Sequence, residues 1–387
     1  MMVFLIYIST AIHAYDFKEG NLYYDIISET SRTAKVAGPE SYSVENLIIP
    51  QQVIYNGKTY SVTSVGDEAF FGCSSLTSIT LPSSVTSIGN NAFKECSALP
   101  FLTIPDSVSS IGIGAFDGCS SLSSITIPSL VTSIEAGTFN ACSSLTSITI
   151  PSSVISIGDS AFKQCTALTS LTLPNSVTSI GNFAFFYCTE LTTVTLPKSV
   201  TTIGEIAFSE CTKLVSVTIS ASVTSIGKYA FCHCPALTSV TILATKTSIG
   251  QSAFSFSENI KDIYIHCEVP VKCEPEFAAD VTMNAILHVP AGKLNEYNKI
   301  DPWRQFNNIV EMDSSGVEGI ATAQDGKLRI SVNHGVVRVE GIDNSICVTV
   351  YNMQGCVAFQ GSSDSITNLE PGLYILKAGK QTVKFTI

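Results

Sequence analysis

Apolar residues recur along the middle of this chain with a period of 23, marked by Phe70, Phe93, Phe116, Phe139, Phe162, Phe185, Phe208, Phe231 and Phe254. Three more apolar columns keep the same register, from Leu76 to Leu237, from Ile79 to Val240 and from Leu81 to Ile242. Self-similarity of this length marks stacked coils, each of which buries its apolar side chains only against its neighbours. Nine coils run without an insertion.

Within a coil the last two apolar positions lie two residues apart, the spacing of side chains on one face of a strand. A short β-strand is predicted there. Proline follows at 82, 105, 128, 151, 174 and 197, where its missing N–H ends ladder pairing. The next segment, as in Val85-Thr86-Ser87-Ile88-Gly89, ends in a glycine that is expected to permit a tight reversal before the Ala92-Phe93 turn. Strands stacked about 4.8 Å apart then line Leu, Ile and Phe into one interior behind a parallel β face.

Coil after coil, for instance Leu145-Thr146-Ser147-Ile148-Thr149-Ile150-Pro151 leading to Ala161-Phe162 and Cys165, this pattern resembles the cysteine-containing bacterial surface leucine-rich repeats called BspA-like. The resemblance implies a leucine-rich-repeat solenoid with short turns, spanning residues 66–265. It departs from the family at Ser220 in place of Pro, Lys246 in place of Val and Ser257 in place of Cys, which suggests a transition to a cap. The family includes surface adhesins that engage host matrix proteins and other bacteria, so the resemblance implies binding at the cell surface.

Outside the array the pattern changes. The run Val3 to Ile12 is apolar but too short to span a bilayer, and with Ala14 after it residues 1–14 read as a secretory signal. Residues 15–65 contain two alternating runs joined by Asn56-Gly57, a hairpin signal, and are expected to cap the N-terminal end. Residues 266–312, with the single Trp at 303, are expected to form the other cap. A Ser- and Gly-rich linker is expected over 313–319. Short alternating runs at 328–332, 336–339, 347–351, 356–360 and 373–377 then predict a small all-β sandwich over 320–387.

That tail, through Val350-Tyr351-Asn352-Met353-Gln354-Gly355, Leu369-Glu370-Pro371-Gly372-Leu373-Tyr374-Ile375 and Lys384, is similar to the C-terminal sorting domain of type IX (Por) secretion substrates. The similarity implies export, with the secretion machinery as a partner of the tail.

Composition narrows the function. A net charge of -11 leaves no basic stripe for phosphates, so nucleic acid is not an expected partner. No run reaches the roughly 18 apolar residues of a membrane span. The cysteines at 73, 96, 119, 142, 165, 188, 211 and 234 form a column whose members lie about 5 Å apart along parallel Cα–Cβ vectors. A disulfide needs Cβ atoms at roughly 3.5–4.5 Å, so buried free thiols are expected instead. Cys232-His233-Cys234 has poor spacing for zinc, and no metal or cofactor is expected. Cys267 and Cys273 are candidates for a loop disulfide. The five His are scattered, and no nucleophile–base pattern points to an enzyme.

Two sets of outward positions remain as candidate ligand-binding residues. Thr126, Thr149, Thr172, Thr195 and Thr218 lie between inward strand residues and form a hydroxyl stripe, with serines two residues earlier interrupted by Phe101 and Thr193. It suits an extended protein or glycan, and equally a plain solvated sheet. Phe183, Ile206 and Tyr229 occupy one position on three consecutive coils and are expected to form an exposed apolar patch, or else to pack partly against the neighbouring turn. The leading expectation is an exported adhesive protein, and the alternative is a structural or glycan-binding surface component.

Overall fold

The computed structural model describes residues 15–244, 246–270, 277 and 279–312. Beyond these it describes residues 317–322, 329–333, 336–340, 348–352, 357–361, 365–366, 369, 373–378 and 381–386. The expected signal over 1–14 lies outside the described residues. Two units divide the chain: the repeat unit runs to Val289 and resumes over Lys293–Val310, and the second takes Pro290–Gly292 and the chain from Glu311 onward.

The repeat unit is a solenoid with parallel strands. Each coil contributes a first strand such as Ser170–Thr172 and a second such as Ser179–Ile180. Equivalent residues of successive coils pair in register, as in Leu171 with Val194 and Ile180 with Ile203. The phenylalanines form a single column. Rings of neighbouring coils stack at 5.3 Å for Phe70 and Phe93, 5.0 Å for Phe185 and Phe208, and 5.4 Å for Phe231 and Phe254. The column continues past the predicted array, because Phe277 stacks on Phe254 at 5.8 Å and 1°. Phe277 follows Phe254 by 23 residues and makes a tenth member of the column.

The departures at 220, 246 and 257 do not end the regular coils. Ser248–Ile249 pairs with Ser225–Ile226, and Asp262–Ile265 pairs with Ser239–Ile242. Lys246 is exposed while its neighbour Thr247 is buried. Ser257 occupies the cysteine position, and its hydroxyl donates to the Phe231 carbonyl at 2.9 Å. The thiols do the same one coil apart, Cys165 to Phe139 at 3.1 Å and Cys234 to Phe208 at 3.3 Å.

The glycine expected to make the reversal has a different task. Gly181 does not have positive φ, but a Cβ built on it falls 2.6 Å from the Asp159 nitrogen of the preceding coil. Glycine is required there because two backbones approach too closely for any side chain. The reversal falls two residues later, at Asn91 (φ 51°) and its counterparts. In one coil Glu135 stands in the glycine position, and there the second ladder stops: one sheet ends at Ser110–Ile111 and another begins at Ser133–Ile134. A side chain at that position does not fit the close backbone approach that Gly112 and Gly158 make with their neighbours.

Both ends of the solenoid are closed. At the N-terminal end the Asn56-Gly57 hairpin forms between Gln52–Tyr55 and Lys58–Val65, with φ of 51° and 74° at its two turn residues. Val65 pairs with Ile88 and Leu47 with Ile79, so the cap feeds both ladders in register. At the other end Ile286–Val289 pairs with Asp262–Ile265. Buried Trp303, Tyr297 and Phe306 cover the interior there, and the Tyr297 hydroxyl donates to the Cys267 carbonyl at 2.8 Å. An uncovered end would expose apolar side chains and unpaired strand edges.

The second unit is a small all-β sandwich of two four-stranded antiparallel sheets. Val337, Val339, Ile366, Val348, Val350 and Leu376 are buried. The expected linker over 313–319 is shorter than its composition suggested. Residues 313–316 lie outside the described residues, and Val317–Thr322 is already a strand with an irregularity between Val317 and Gly319. A glycine beside a bulge is tolerated because it has no side chain to pack.

Candidate functional site

The first strands carry the outward hydroxyls. Thr126 pairs with Thr149, Thr172 with Thr195 and Thr218 with Thr241, and Thr126, Thr149, Thr172, Thr195 and Thr218 are all exposed. Their hydroxyls make no hydrogen bond within the described residues. That sets them apart from the hydroxyls of Thr178, Thr201 and Thr224, which donate to carbonyls of the preceding coil at 3.2, 3.0 and 3.1 Å. One population of threonines ties coils together; the other faces solvent with its polar group unspent.

The stripe is not continuous. The sheet holding Thr126 and Thr149 ends with Ser147–Thr149, and the sheet holding Thr172, Thr195 and Thr218 begins with Ser170–Thr172. Ile148, the inward residue at that step, is half-buried where Leu171 and Val194 are buried.

The ends of the stripe change chemistry. Ile48, paired with Thr80, is 76% exposed, and Phe101 interrupts the serine row at 61% exposed. At the far end Tyr264 takes the threonine position and stacks on His288 at 4.1 Å. His288 Nε2 lies 2.9 Å from Asp262 Oδ1. The sequence reading missed this cluster. Its signal was the register itself, since Tyr264 follows Thr241 by 23 residues.

Phe183, Ile206 and Tyr229 stand in one column on the turn edge, between the exposed patch and the partial burial that were both expected. Phe183 and Ile206 are half-buried and only Tyr229 counts as exposed. All three have left-handed backbone, with φ of 56°, 60° and 57°. Each N–H at these positions points along the solenoid axis to the next coil, as from Phe183 to Glu205 at 2.8 Å.

The remaining candidates are structural. The described cysteines are free and buried, and desolvation raises their pKa values, to about 12 for Cys73, Cys188 and Cys234. Cys267 is a free thiol donating to the Ala244 carbonyl, while Cys273 lies outside the described residues. His233 is exposed and stacks on Phe256 at 4.5 Å, whereas Cys232 and Cys234 are buried. No group of three or more metal-ligating side chains converges among the described residues. A shallow groove of about 640 Å³ runs over Gly158, Gly181, Gly204 and Gly227. Its Asp159 and Asn182 side chains already accept the backbone N–H groups of Asn182 and Glu205.

A filled stack of parallel coils, one phenylalanine column and an outer hydroxyl face define a leucine-rich-repeat solenoid. The chain belongs to the family of the BspA type leucine rich repeat region, whose model matches six copies over residues 40–169 and 155–272. No curated protein matches it. Among solved structures, a leucine-rich repeat protein from Bacteroides ovatus is similar at 28% identity and a TM-score of 0.55, over 78% of this chain and 77% of that one. A leucine rich cell surface protein from Faecalibacterium prausnitzii is similar at 27% identity and a TM-score of 0.48, over 77% of this chain and 95% of that one.

Proposed function

We propose that this chain is an exported binding protein that engages an extended protein or glycan on the outer strand face of its solenoid. One observation carries the reading: Thr126, Thr149, Thr172, Thr195 and Thr218 present exposed hydroxyls that no group among the described residues uses. Two successive runs of hydroxyls, each repeating at the strand spacing of about 4.8 Å, suit a ligand that is itself extended. Family membership supports a binding role over catalysis, and among the described residues no helix is long and apolar enough to cross a membrane. Adhesion to host or bacterial proteins is the form of binding we favour. A glycan-binding or structural surface role is the alternative.

The test is a binding screen of the full chain against matrix proteins and glycans, repeated with Thr149, Thr172 and Thr195 replaced by Lys. Exposed substitutions of this kind cost about 0.5 kcal/mol or less in stability. Any hit should lose at least about tenfold in affinity, or about 1.4 kcal/mol. Unchanged affinity in the folded variant would eliminate the strip as the site.

The C-terminal sandwich is proposed as the export address. Deleting residues 320–387 should leave the protein inside producing cells on fractionation. Undiminished appearance outside them would remove that role.

A further inference from the structure

Departures from the repeat concentrate on the turn edge of the later coils. Every coil holds two residues there in left-handed backbone, four positions apart, as at Asn91 and Glu95 with φ of 51° and 62°. Earlier coils fill the first position with Glu68, Asn91, Gly114, Gly137 and Ser160, of which the glycines and Asn91 suit it best and none is apolar and bulky. Three consecutive coils then carry Phe183, Ile206 and Tyr229, for which left-handed backbone is unfavourable, most of all for β-branched Ile206. None of the three is fully buried, so core packing does not account for them. Strain kept at a half-exposed site points to a use for the side chain.

The second position changes over the same coils. Gly72, Glu95, Gly118, Ala141 and Gln164 give way to Tyr187, Glu210, His233 and Phe256, so that aromatic rings enter on either side of a carboxylate. Tyr187 is 43% exposed and Phe256 56%. The phenylalanine rings inside these coils stack at 5.0 and 5.3 Å, and Glu210 belongs to the coil between those of Tyr187 and His233. Its carboxylate makes no ion pair among the described residues. The edge already shows attraction between cation and ring, since Lys163 Nζ lies 5.9 Å over the Phe186 ring. Aromatic faces beside an unpaired carboxylate, on a chain of net charge -11, complement an ammonium or guanidinium group.

We propose that this edge binds a basic, Arg- or Lys-bearing peptide segment of a partner protein. The cationic group sits between the Tyr187 ring and the Glu210 carboxylate, and the apolar part of the segment lies along Phe183, Ile206 and Tyr229. This surface is separate from the strand face and does not depend on the reading given for it.

The test measures fluorescence anisotropy of a labelled Arg-Leu repeat peptide, and of its Glu-Leu counterpart, against the full chain. The Arg peptide should bind and the Glu peptide should not. Tyr187→Ser leaves the net charge unchanged and should weaken binding about tenfold, as should Glu210→Gln. Ile206→Gly places in this coil the residue found at Gly114 and Gly137. It should weaken binding while the thermal midpoint holds or rises, a combination that misfolding cannot produce. Equal affinity of Tyr187→Ser and Ile206→Gly with the parent chain would assign any attraction to the diffuse negative field and overturn the proposal.

Discussion

Raising the pH above about 9 should unfold the repeat unit cooperatively, and serine in the cysteine column should move that transition to higher pH. The ordinary thiol value is 9.0, and burial raises it to about 12 for Cys73, Cys188 and Cys234 and well above 9.0 for Cys119, Cys165 and Cys211. The unfolded chain therefore releases thiol protons that the folded chain retains. The stability from neutral buried thiols is fully present below pH 9.0 and is lost as pH rises toward the folded values. Each thiol contributes a slope of about 1.4 kcal/mol per pH unit in that window. Eight of them approach roughly 11 kcal/mol per unit, comparable to the whole stability of a typical domain.

Serine does not titrate in this range, and Ser257 shows that it makes the same bond to the phenylalanine carbonyl. Replacing Cys119, Cys142, Cys165 and Cys188 by Ser should roughly halve the slope. Circular dichroism followed through an alkaline titration provides the measurement. An identical transition pH in the parent and the four-serine variant would show that the column is not the cause.

Phe162→Ala should do more than lower stability; it should divide the array. Phe162 is fully buried between Phe139 at 5.4 Å and Phe185 at 5.3 Å. Removing a buried Phe costs about 3–5 kcal/mol through lost transfer energy and the cavity left behind. In a solenoid each coil is held only by its neighbours, so a weak interface at the centre lets the two halves unfold separately. Trp303 lies in the C-terminal cap and reports on that half alone, while circular dichroism reports on both. In urea the parent chain should give coincident curves by the two probes, and Phe162→Ala should give curves that separate. A single shared transition shifted by less than about 1 kcal/mol would contradict a column that transmits stability from coil to coil.

Much of this molecule was legible before any coordinates, because a stack of equivalent coils places every copy of a residue in the same surroundings. The 23-residue spacing alone determined the inward columns, the strand with its outward Thr126 to Thr218, and the single file of phenylalanines. Free buried thiols followed from the strand spacing of stacked coils, which is too wide for a disulfide. What the spacing left open depends on which atoms of neighbouring coils meet, which the repeat pattern does not contain. Only the tertiary structure decided that Gly181 makes room for a backbone rather than a turn, that Glu135 stops a ladder, and that Ser257 replaces Cys without loss of its bond. It showed that Phe277, in register with the period, stacks on the column, and it separated the threonines spent on neighbouring coils from those left facing solvent. A ring contact makes the first distinction and hydrogen bonds between coils the second, and both join residues that are remote along the chain but adjacent along the axis.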